Sequence, residues 1–172
     1  MFNDPEATVE RLIFDDWKPK IFEGVPFVLI DPQEGKVANA IMLHGTAGKT
    51  PPSMPKQVSL PCNSSAKLIH FLGGISGWGW PASDKGTTCL TVRLKYEDGQ
   101  TEDHFLKNGE HFADYIRRVD VEQSKFAYAV RGQQVRYFSI APKRAEKIAT
   151  MDLIKGNDIT SPILLAITVE GP

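Results

Sequence analysis

The chain has 172 residues, 41% hydrophobic and 24% charged, with a formal net charge of -1. That length holds one well-cored domain and is short for two. The near-neutral charge gives no electrostatic reason for a nucleic-acid or anionic-membrane partner, and no apolar run reaches the roughly 18 residues of a membrane-spanning helix.

The opening stretch MFNDPEATVERLIFDDW lacks the basic leader and continuous apolar core of a signal peptide. Asp4-Pro5-Glu6 suits one helical turn, with Asp4 as N-cap and Pro5 in the first helical position. Residues 1–19 are expected to be an N-terminal extension and residues 20–172 a single domain, the chain being either cytoplasmic or a mature or excised part of a longer protein. From there the sequence reads as strands. Val25 to Asp31 is extended and ends at Asp31-Pro32; Ala38 to Gly45 follows and stops in GTAGKTPPSMP, whose glycines and prolines continue neither helix nor central strand. QVSLP leads to AKLIHFLGG, where Leu68, His70 and Leu72 alternate with Ile69 and Phe71, so both faces are suited to burial. Thr87 to Glu97 and Gln100 to Leu106 flank Asp98-Gly99, the strongest local hairpin signal in the chain. KFAYAVRG, QVRYFSIAP, KIATMDLIKG and PILLAITVE complete the series. In the last of these, Ile163, Leu165, Ile167 and Val169 are expected to point one way. AEKIATM alone has a competing helical reading by local propensity. About ten short strands with regular turn signals imply an all-β sandwich or barrel, and the long connections 46–56 and 75–86 suit Greek-key crossings. The reading is a jelly-roll β-sandwich with Greek-key connections.

The succession GVPFVLIDP, NAIMLHG, VSLPC, AKLIHFLGG and TVRLKYEDGQTEDHFLKNGEHFADYI resembles the galactose-binding-like jelly-roll domains. It is most similar to the NPCBM-type accessory domains that accompany glycoside hydrolases. The carrying elements are the strand Leu68 to Leu72, the hairpin Val92 to Gly99, and Gly109 followed by Asp114-Tyr115. The resemblance spans roughly residues 20–170; the SGWGWPASDKG insertion and the RRVD and RGQQVR segments depart from it. It implies a carbohydrate-binding or docking domain attached to a larger secreted protein, and hence an extracellular or periplasmic location.

The candidate chemistry lies between Leu68 and Arg131. Trp78 and Trp80 sit among glycines, where indole rings are free to stack on the C–H face of a pyranose. The alternative is that they fold back and plug one end of the sandwich. His111, Asp114, Tyr115, Arg117 and Arg118 form a polar-aromatic cluster. Guanidinium and carboxylate groups there either bridge adjacent sugar hydroxyls or tie the loop to the sheet internally. Arg131 would add to such a groove from the RGQQ turn, or belong to a solvated hairpin tip. No catalytic residue, metal ligand or cofactor is assigned. Glu97-Asp98 and Glu102-Asp103 are neighbours on strands and point to opposite faces, so they make no glycosidase pair. His70, His104 and His111 would have to meet to support metal chemistry. Loop acids Asp31, Glu34, Asp84 and Asp158 form no dense oxygen-ligand run of the kind calcium needs. Cys62 and Cys89 are either small buried hydrophobes or a pair across neighbouring strands.

The expected function is a non-catalytic carbohydrate-binding module, with a polysaccharide or oligosaccharide as ligand and other domains of a parent polypeptide as neighbours. The alternative is a structural or interaction domain mediating interdomain or protein–protein contacts.

Overall fold

The computed structural model describes residues 14–34, 36–47, 53–78, 85–130 and 132–172. The expected turn at Asp4-Pro5-Glu6 lies outside the described residues. The described chain is all-β. Its strands are β1 (Lys20–Phe22), β2 (Val25–Phe27), β3 (Ile41–Met42), β4 (Gln57–Ser64), β5 (Leu68–Ser76) and β6 (Thr88–Tyr96). They continue with β7 (Thr101–Lys107), β8 (Lys125–Val130), β9 (Gln133–Ile140), β10 (Ile148–Lys155) and β11 (Ser161–Glu170). The helical reading of AEKIATM fails because Ile148 onward is bonded on both sides, to β4 and to β6. A ladder on each flank outweighs a local preference of a few tenths of a kcal/mol per residue.

Two larger sheets pack as a β-sandwich. One has four strands in the order β4-β10-β6-β7, the other five in the order β3-β11-β5-β9-β8. Among the described strands of these sheets, β6–β7 and β8–β9 are the sequential hairpins, and the other chain neighbours lie in opposite sheets. The β6–β7 hairpin is the one the Asp98-Gly99 signal specifies. Gly99 adopts φ +85° and its N–H donates to Tyr96 O at 3.0 Å, while Asp98 Oδ1 accepts from Gln100 N–H at 3.0 Å.

The inner core fills the space between the sheets. Ile69, Phe71, Ile75, Phe138, Ile140 and Leu164 meet Leu90, Val92, Leu94, Leu106, Met151 and Leu153. A second apolar layer lies on the outer face of the five-stranded sheet. There the β1–β2 ribbon and the residues around it bring Phe14, Phe22, Phe27 and Leu29 onto Leu72, Val135, Ile163 and Leu165. Phe14 and Trp17, assigned from sequence to the extension, pack into this layer.

Strand β5 is buried on both faces as its sequence implied. Strand β11 is different. Its register against β5 shifts between Leu164 and Ala166. The extra residue turns the strand over, so Ile163 and Leu165 join the outer layer while Ile167 and Val169 pack on the inner core. A bulge breaks the period-two rule on which the single-face expectation rested.

The two cysteines are free. They lie on β4 and β6, which are separated by β10, and not on neighbouring strands. Pro61 beside Cys62 faces Thr150 near the start of β10, whereas Leu90 beside Cys89 faces Lys155 at its end. The separation is more than about 20 Å along the sheet, far beyond disulfide reach.

Candidate functional site

Residues 43–47, 53–56, 77–78, 85–87, 108–124 and 156–160 gather at one end of the sandwich. Thr46 and Ala47 N–H groups both donate to Ile159 O at 2.9 Å, and Gly86 N–H donates to Asn108 O at 2.8 Å. Asn157 N–H donates to Thr88 O at 3.1 Å. Gly77 has φ +78°, and a Cβ there would lie 2.7 Å from Ala47 O, so glycine is what lets these two loops touch.

Trp78 stands at this end, half-buried. Its ring packs against the inner core and its indole N–H donates to Oδ1 of the buried Asn108. The ring therefore helps to plug this end of the sandwich. Trp80 and Arg131 lie outside the described residues.

Asp114 and Tyr115 form a wedge in the five-stranded sheet. The β5–β9 pairing runs only as far as Gly73 opposite Arg136. Beyond that, Asp114 bridges Ile75 in parallel, Tyr115 N–H donates to Ile75 O at 3.2 Å, and Gln134 N–H donates to Tyr115 O at 2.8 Å. Asp114 is buried; its Oδ1 accepts from Ile116 N–H at 3.2 Å and its Oδ2 lies 3.9 Å from Arg117 Nε. Tyr115 packs into the outer layer across Gly74, where an added Cβ would sit 3.2 Å from the tyrosine Cβ. The candidates thus converge on one end of the molecule, yet Trp78 belongs to the inner layer and Tyr115 to the outer.

His111 is half-buried, and its Nδ1 accepts from Lys107 N–H at 3.2 Å, which leaves the proton of the neutral ring on Nε2. Burial pulls its pKa below the ordinary value, opposed by Glu110 and assisted by Lys107. Arg117 is solvent-exposed. Arg118 lies over the Phe126 ring at 4.4 Å and pairs with Asp120 at 3.4 Å. These two guanidinium groups are the exposed cations of the cluster.

What holds this surface in place is a pair of residues in the first half of β9. Gln134 and Arg136 are buried, Arg136 to 1% exposure. Arg136 donates from Nε to Ser124 Oγ at 2.7 Å, from Nη2 to Ser124 O at 2.6 Å, and from Nη1 to Val119 O at 2.9 Å. Gln134 Nε2 donates to Asp114 O and to Arg117 O. Burial lowers the Arg136 pKa, against the opposing pull of Asp120. Such a group is tolerated inside because its donors find carbonyl, hydroxyl and amide partners. The signal was present: in QVRYFSI, Gln134 and Arg136 share a strand face with Phe138 and Ile140, and Val135 shares the other with Tyr137.

The histidines stay apart. His70 lies on the outer side of β5, with Nδ1 2.9 Å from Tyr137 Oη and Nε2 3.1 Å from Glu170 Oε2. His104 faces the interior beside Glu102, 2.7 Å away, and His111 belongs to the loop end. Among the described residues no three His, Cys, Asp or Glu side chains are grouped to hold a metal ion. Asp158 is committed to Lys155 and Thr160. No protein-family model matches the chain, and no curated protein or solved structure is found to be similar to it.

Proposed function

We propose that this chain is a non-catalytic carbohydrate-binding module with a jelly-roll fold, carried in a longer extracellular or periplasmic polypeptide. The strand order supports the jelly roll, because chain neighbours alternate between sheets except at the two hairpins. The observation that carries the binding reading is convergence. Trp78, His111, Asp114 and Arg117, up to 39 positions apart in sequence, lie at one loop end that buried Gln134 and Arg136 tie to the sheet. A Trp78 fixed by the core and by Asn108, at the same loop end as the exposed Arg117, suits stacking and directional hydrogen bonds with little ordering cost. The remaining acids favour a binding role over catalysis. Glu102 accepts from Tyr96 Oη at 2.7 Å and from Lys143 N–H at 3.0 Å, while Asp103 pairs with Arg93 on the opposite face.

Affinity electrophoresis against a panel of soluble polysaccharides tests the reading. Retardation is expected, and Arg117→Ala with Arg118→Ala should reduce it about tenfold, the loss of one or two hydrogen bonds to charged donors. Those side chains are exposed, so the circular dichroism of the variant should match the parent. Migration unaffected by every polysaccharide would overturn the proposal.

One observation favours the interaction-domain reading instead. Ile21 is 75% exposed, Val28 69% and Ile30 48%. Ile21 faces exposed Pro26 across the β1–β2 ribbon, and the alternation beyond Phe27 puts Val28 and Ile30 on that same outward side. An apolar stripe of this kind suits contact with another domain. Tryptophan emission that ignores every oligosaccharide would favour this second role.

A further inference from the structure

The outer face of the four-stranded sheet is built differently from the rest of the surface. The registers put its outward side chains in rows across β4, β10, β6 and β7. Gln57, Ile154, Thr91 and Phe105 form one row, and Ser59, Asp152, Arg93 and Asp103 the next. Lys95 lies in a third, opposite Thr150 and Thr101.

In the middle row every charge is held. Arg93 donates twice to Asp103, from Nε at 2.7 Å and from Nη2 at 2.8 Å. Asp152 accepts from Ser59 Oγ at 2.7 Å and Gln57 Nε2 at 3.1 Å, and pairs with Lys95 Nζ at 2.7 Å. Asp152 is only 2% exposed although it lies on an outer face, because these side chains close over it. Phe105, one row away, is 57% exposed.

We infer that this face is a second glycan-binding surface, which takes an internal stretch of a neutral polysaccharide chain. The inference rests on the carbohydrate-binding reading above and extends it to a separate surface. Charge selects the class of ligand: Arg93 and Lys95 balance Asp103 and Asp152, so neither a polyanion nor a polycation is attracted. Hydrogen bonding selects it further. A lysine ammonium has three donors and a guanidinium five, so Lys95 and Arg93 keep unused donors after their ion pairs. These groups are already oriented, so a sugar hydroxyl meets them without further ordering cost. Phe105 supplies the flat apolar platform, about 7 Å along β7 from Asp103. Each row spans about 14 Å across the four strands, which accommodates an extended chain rather than only its end. With Phe105 as its one strongly exposed large apolar side chain, the face lacks the apolar centre of a protein interface.

The test uses soluble galactomannan, xyloglucan and hydroxyethylcellulose as neutral polymers, with alginate and polygalacturonate as charged ones. The parent protein should be retarded by at least one neutral polymer. Phe105→Ala and Arg93→Gln should each weaken that retardation about tenfold, and Arg117→Ala with Arg118→Ala should leave part of it. Amide resonances of Thr91, Arg93 and Phe105 should shift with the matching oligosaccharide. Full retardation in both sheet variants, with loss in the Arg117 and Arg118 variant, would overturn the second surface and leave the module reading standing. Retardation by charged polymers alone would overturn the assignment of a neutral ligand. No retardation by any polymer would overturn both readings.

Discussion

The two sheets of this sandwich turn opposite kinds of surface outward. The five-stranded sheet covers its outer face with a second apolar layer of Phe14, Phe22, Phe27 and Leu29. The four-stranded sheet leaves its outer face to Arg93, Lys95, Asp103 and Asp152. Their central strands carry the same contrast. Strand β5 is buried along almost its whole length, whereas β6 alternates buried and half-buried residues from Leu90 to Tyr96. A strand covered on both sides tolerates no polar alternation, and a strand with one wet face requires it. One face has been made into a core layer, and the other stays polar.

The largest expected effect lies in the covered face. Phe27 is fully buried beneath the ribbon, so Phe27→Ala should cost about 3–5 kcal/mol. Urea denaturation measures that loss, and a red-shifted Trp17 emission should report the loosened ribbon. An unchanged urea midpoint would mean that the outer layer adds no stability and the two faces are equivalent.

A smaller effect, with a pH signature, belongs to the open face. Burial pushes the Asp152 pKa up, but the hydrogen bonds from Lys95 and Ser59 outweigh it and hold the carboxyl below its ordinary 3.8. A depressed carboxylate contributes stability that is full above its unfolded pKa and disappears as pH falls through the folded value. Asp103 is held down in the same direction by Arg93. Stability should therefore decline below about pH 4, and Asp152→Asn should flatten part of that decline. At neutral pH the substitution should cost about 1–3 kcal/mol, by leaving Lys95 without its partner carboxylate. Equal acid limbs in parent and variant would remove Asp152 from the account.

The smallest effect sharpens the comparison. Phe105→Ala removes the same kind of side chain from the exposed face and should change stability by no more than about 0.5 kcal/mol. A large loss in the urea midpoint would show that Phe105 belongs to the packing and not to a binding platform.

Much of this fold was legible in the chain. Asp98-Gly99 marked its hairpin because a glycine with positive φ serves that turn at no steric cost, and the strand reading of KIATMDLIKG matches β10. Glu102 and Asp103 do point to opposite faces, which follows from the two-residue period. The candidate site was legible only in part. Gln134 and Arg136 look like surface residues by type, and only the loop packed against them supplies the partners that make their burial possible. By sequence Trp78 and Tyr115 belong to one candidate site, but the Asp114-Tyr115 wedge sends Tyr115 to the outer layer while Trp78 packs on the inner core. The polar face around Phe105 passed unread because its members come from four strands.

By itself the sequence determined the all-β class, most of the strands and the principal hairpin, because alternation and turn chemistry act over a few residues. Tertiary structure alone decided which strands became neighbours, and so that Cys62 and Cys89 stand far apart. It also decided that a bulge at Leu165 turns β11 over, and that four separate segments share one polar face. These outcomes depend on register and pairing between distant strands, and local pattern does not encode either.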